Sequence, residues 1–105
     1  MFYIKGLLGI LSRGLISVNL PSYGMAKPSP THAGNPILVA LGDAIRRARL
    51  EQGISQEGLA LGAGLDRSYV GGIERGEHNL TVINVVKLAE ALGLTSSELL
   101  RRGGH

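Results

Sequence analysis

The chain has no cysteine. That absence excludes disulfides and thiolate metal sites, and it fits a reducing, cytoplasmic setting. The three histidines, His32, His78 and His105, are scattered with no partner at metal-ligand spacing, so no metal or other cofactor is expected. A phosphate-binding glycine loop with its lysine is missing, and no nucleophile stands beside a base in a recognisable motif. An enzyme is therefore not expected. No stretch sustains the apolar–polar alternation of a strand. A membrane span needs about 20 consecutive apolar residues, and these are lacking too.

Residues 1–25, MFYIKGLLGILSRGLISVNLPSYGM, are apolar only in patches. Arg13 and Gly14 interrupt what a secretory signal would need as an unbroken core of about 7–15 residues. Leu7, Leu8, Leu11 and Leu15 fall on one side of a loose amphipathic helix, a weak membrane-surface or docking signal. The reading preferred here is that Met25 is the natural start, followed by the polar tail MAKPSPTHAGNP. Residues 1–24 would then be upstream sequence with no fold of their own, and no membrane partner is expected.

Acid is also scarce where it would be informative. Lys5, Arg13 and Lys27 precede residue 36 and no acid does; removing them from the chain's eleven basic residues leaves eight against eight acids. The net charge of +3 is thus confined to the leading segment. The globular part is neutral, so a nucleic-acid partner must be argued from where charges sit.

What is present is helical punctuation. Residues 26–36 hold three of the four prolines and read as a disordered linker, so residues 1–36 form an extension and the domain spans 37–102. Leu38, Leu41, Ile45 and Ala48 then recur at helical spacing, and Gly53 ends that helix. Ser55 caps a second helix carrying Leu59, Ala60 and Ala63. Gly64 breaks the chain. Asp66 caps a third helix with Val70 and Ile73 inward, which Gly76 terminates. Thr81 opens a fourth with Val82, Val85, Val86, Ala89 and Leu92, and Gly93 stops it. Thr95–Glu98 is a capping box that starts a short fifth helix with Leu99 and Leu100. The fold class is all-α, five helices over roughly 65 residues, within the range that folds alone.

The second and third helices are joined by about three residues, as in a helix-turn-helix. Ala60 is small for close packing, Gly64 can take the positive φ of the turn, and Leu65, Val70 and Ile73 hold the third helix. Its outward face over 66–75 is left free for a major groove.

At these residues the chain resembles a known family. ISQEGLALGAGLDRSYVGGIERGEHN, followed by LAEALGL, is similar to the Xre family of lambda-repressor/Cro-type DNA-binding domains, over about Ile37–Leu100. DRSY with the later GEHN is also similar to controller proteins of restriction–modification systems. The resemblance implies a lambda-repressor-like fold, a transcriptional regulator, a double-stranded DNA operator as partner and a homodimer. It implies base reading by Arg67, Ser68 and Tyr69, and backbone contacts by Gln56, Arg75, His78 and Asn79. Arg49 and Glu74 match a structural ion pair. Gly72 matches a position that often carries a long base-reading side chain, so Gly71 and Gly72 imply a bare face and a close approach of backbone to the groove. Leu99 and Leu100 cannot both point into one small core and are expected at the dimer interface.

Blander readings stand beside these. Arg67 also reads as a solvated arginine, and Tyr69 reads equally as a packing residue. Arg46 and Arg47 suit a solvated helix face, and Glu77 works against DNA affinity. The whole unit also fits a protein-interaction module, antitoxin-like, that uses the same helices.

Overall fold

The computed structural model describes residues 27–105, so the expectations for residues 1–26 lie outside the described residues. Five helices follow one another: α1 (Pro36–Glu51), α2 (Gln56–Ala63), α3 (Arg67–Glu74), α4 (Val82–Ala91) and α5 (Ser96–Arg102). Among the described residues there is no strand.

Each helix starts where a short polar side chain can take an unpaired backbone N–H. Asn35 accepts from Ile37, Ser55 from Gly58, Asp66 from Ser68, Thr81 from Asn84 and Thr95 from Glu98. Glu98 returns the bond to the Thr95 N–H and completes the capping box. That bond holds the Glu98 carboxyl below the usual carboxylate range. The α2–α3 turn depends on Gly64, whose φ of 69° is left-handed, and the Leu65 N–H closes back on the Ala60 carbonyl at 2.8 Å.

The core gathers the apolar stripes of all five helices. Ile45 of α1, Leu59 of α2, Val70 and Ile73 of α3, Leu88 of α4, Leu92 after it and Leu99 of α5 are its largest fully enclosed side chains. At about 25 cal/mol per Å² of apolar surface, such burial is the main favourable contribution to folding. At Gly42 the helices α1 and α3 approach closely. A Cβ at Gly42 would overlap the Ile73 carbonyl oxygen and come within 2.9 Å of that of Glu74. The backbone of α1 therefore lies directly on the end of α3.

Three expectations are corrected. Leu99 is 0% exposed, so it belongs to the core of one chain and not to a dimer surface, whereas Leu100 is 38% exposed. Neighbours on a helix point about 100° apart, so only one of the two faces inward. Val82 does not join the inward set either. It is 78% exposed in the first turn of α4, ahead of the buried residues that begin at Val85. Finally, residues 27–35 are not a free linker. The Ser29 N–H donates to the Glu77 carbonyl at 2.7 Å and the Gly34 N–H to that of Gly76 at 2.9 Å, which fastens a turn onto the α3–α4 connection.

Candidate nucleic-acid interface

The carboxylate of Glu74, at the end of α3, is the anchor of the site. It is 2% exposed and meets the Arg49 guanidinium of α1, which is 9% exposed. Arg49 Nε donates to Oε2 at 2.7 Å and Nη2 to Oε1 at 3.0 Å, a two-point geometry that holds both partners in one plane. Arg49 Nη1 also donates to the Ile54 carbonyl at 2.9 Å, tying in the segment before α2. The pair raises the Arg49 pKa further, against the opposing effect of burial.

Gln56, the first residue of α2, completes this network. Its Nε2 donates to Glu74 Oε1 at 2.9 Å. The side-chain amide expected at a DNA phosphate thus has a partner inside the protein, where it links the start of α2 to the end of α3. The Ser55 hydroxyl takes the Gly58 N–H of this helix start, and the N–H groups of Gln56 and Glu57 before it remain suited to an anion.

At the other end of α3, Arg67 is exposed. Ser68 is half-buried, and its hydroxyl and its N–H both donate to Asp66 Oδ2, the latter at 3.1 Å. Its oxygen therefore remains only as an acceptor. Tyr69 is half-buried and packs on the core. Its hydroxyl accepts from Asn84 Nδ2 of α4 at 3.1 Å, and its ring lies against His78 with centroids 4.7 Å apart.

The two glycines are not a bare face. Both are buried. A Cβ at Gly71 would meet Arg75 Nη1 at 3.3 Å and the Gln56 amide at 3.7–3.9 Å. A Cβ at Gly72 would overlap the imidazole of His78. The glycines give way to side chains arriving from elsewhere, so the expected close approach of naked backbone to the groove is replaced by a surface those side chains cover. His78 is seated with them in the free protein. It is 7% exposed and faces Gly72, and this burial lowers its pKa. Arg75 and Asn79 are exposed beside it. Arg75 Nε pairs with Glu77 Oε2 at 2.7 Å, which raises the arginine pKa and lowers that of the glutamate.

Sequence reasoning passed over Gly42 and Asn84. A glycine inside a helix signals close approach, so Gly42 was legible in principle. Asn84 gave no signal, since its partner lies fifteen residues away on another helix. Among the described residues no cluster of three or more His, Asp or Glu could hold a metal ion, and no helix is long and apolar enough to cross a membrane.

Known proteins are similar to this chain. The helix-turn-helix family model HTH_3 matches residues 45–99. The control protein C.MunI of a Mycoplasma species is 38% identical over 66 residues, which cover 62% of this chain and 89% of that protein. The control protein C.BamHI of Bacillus amyloliquefaciens is 39% identical over 67 residues, 63% of this chain and 83% of its own. The crystal structure of the restriction–modification controller protein C.AhdI from Aeromonas hydrophila is 52% identical with a TM-score of 0.58, covering 59% of this chain and 94% of that one. With α2 and α3 joined at Gly64, α3 mounted on Arg49 and its start exposed, the chain belongs to the Xre-type helix-turn-helix family of DNA-binding transcriptional regulators.

Proposed function

We propose that this regulator reads double-stranded DNA by laying α3 in the major groove, and that it does so as a homodimer on a near-palindromic operator. Half-sites would lie about one helical turn apart, roughly 34–36 Å between centres. The observation that carries the reading is the contrast along α3, whose end is fixed by the buried Glu74 while its start presents an exposed Arg67. A fixed helix with a free, planar cation at its entrance suits recognition of a base edge, because a guanidinium can bond guanine at two points. In this reading Arg67 is the main reader, Ser68 accepts from a base donor, and the Tyr69 hydroxyl donates to a phosphate or its ring meets a thymine methyl. Arg75, Asn79 and the N–H groups at the start of α2 with Gln56 track the backbone, where contacts position without specifying. Leu100 of α5 contributes to the dimer surface. The protein acts in the cytoplasm.

The similarity to restriction–modification controllers guides the choice of DNA: the sequence upstream of the protein's own gene, beside any neighbouring restriction or modification gene. Fluorescence anisotropy against scrambled DNA at two salt concentrations tests the reading. We expect preference for the upstream DNA by about 10³-fold or more. Arg67→Ala is expected to cost about 1–3 kcal/mol of discrimination at one base pair per half-site. Failure to bind any DNA at low salt would instead favour a protein-interaction module.

A further inference from the structure

His78 occupies a seat that the sequence does not advertise. It lies in the connection between α3 and α4 and is buried, and its Nε2 is fully enclosed with no hydrogen-bond partner. The seat exists because Gly72 has no side chain; a Cβ there would also come within 2.7 Å of the ring's Cδ2. One wall is the ring of Tyr69, tilted by 56° and held from α4 through the Asn84 bond.

This geometry selects one protonation state. A neutral imidazole with its proton on Nδ1 turns a bare lone pair toward Gly72. An imidazolium would carry an N–H at Nε2, buried and without an acceptor, which is costly. The charged groups acting on the ring are Glu77 and Arg75 of its own connection, and they oppose one another; burial outweighs both. From α3 the ring of Tyr69 faces it, held in turn by the Asn84 amide of α4.

We propose that His78 is a proton-coupled DNA contact, seated neutral over Gly72 in the free protein and released, protonated, onto a DNA phosphate in the complex. The proposal deepens the DNA-binding reading above and rests on it. Two features make the exchange work. His78 stands between Arg75 and Asn79, the exposed residues assigned to backbone tracking. Glu77 is bound to Arg75 in the free protein. When a phosphate draws Arg75 away, the released carboxylate favours a positive charge on the neighbouring imidazole.

The sign of the linkage follows. The folded-state pKa of His78 is lowered, so the unfolded chain binds more protons between the two values. Stability is then fully present above the ordinary histidine value of about 6.5 and is lost as pH falls through it toward the folded value. DNA affinity moves the opposite way and rises across the same window.

The test is DNA anisotropy with the full chain at several pH values, alongside an NMR titration of the histidine side chains. We expect affinity for the upstream DNA to strengthen by up to about tenfold per pH unit for each His78 engaged. In the free protein the His78 signal, identified by its loss in His78→Phe, should titrate below the ordinary histidine value and move upward on DNA. His78→Phe should flatten the pH dependence. Gly72→Ala, which a helix accepts more readily than glycine, closes the seat, so His78 should titrate at the ordinary value without DNA and the slope should shrink. Specific binding whose pH slope survives His78→Phe, or an unchanged His78 titration on DNA, overturns the proposal and spares the DNA-binding reading. Absence of specific binding at every pH overturns both.

Discussion

Two arginine–glutamate pairs border the end of α3, and their surroundings set them apart. Arg49 and Glu74 are 25 residues apart in sequence, joined at two points, and their side chains are 9% and 2% exposed. Arg75 and Glu77 are two residues apart, likewise joined at two points, and their side chains are 60% and 26% exposed. The shortest contact is 2.7 Å in both. Distance is therefore a poor guide to what a pair does. In the first, breaking one side strands a buried charge, with a cost of about 3–5 kcal/mol. In the second, water and salt screen the attraction and the pair is worth about 0–1 kcal/mol. The buried pair fixes the helix, whereas the exposed pair holds an arginine that can be drawn elsewhere at little cost.

The comparison can be broken at its strong end. Glu74→Gln leaves Arg49 without its counter-charge and should destabilise the domain by about 3–5 kcal/mol, read by denaturant unfolding at neutral pH. A loss below about 1 kcal/mol would mean that the pair is not the mount of α3. At the exposed end, Arg75→Ala should leave folding within about 0.5 kcal/mol. It should weaken specific and random DNA alike and lower the salt slope by about one unit. A loss confined to the specific sequence would make Arg75 a base reader. Glu77→Gln is expected to have the smallest effect, under about 1 kcal/mol in stability. Affinity for random DNA should rise slightly, since Arg75 no longer leaves a carboxylate to meet a phosphate. A fall in that affinity would show Glu77 to be orienting Arg75 for DNA.

The same contrast explains what could be read from the sequence. The helices were legible because their signals are local: Ser55, Asp66 and Thr81 each cap within three residues, and Gly64 reverses the chain on its own. The pairing of Arg49 with Glu74 was legible only through resemblance, since nothing near either residue points to the other. Gly71 and Gly72 misled, because a glycine reports that a Cβ is unwanted and is silent about who fills the space. Here Gln56, Arg75 and His78 fill it from outside the middle of α3. The docking of Ser29 and Gly34 was hidden for a different reason. It uses backbone groups, which every residue carries.

The crowding over Gly71 and Gly72 bears on how much one half-site can say. A reading helix spells with the side chains it has free, and this one keeps them at its entrance. Under the proposed function its word is short. Selectivity among many similar sites must then come from grammar: two copies read together, a fixed interval between them, and the willingness of the intervening DNA to bend. An operator for such a protein would tolerate changes of letter better than changes of spacing.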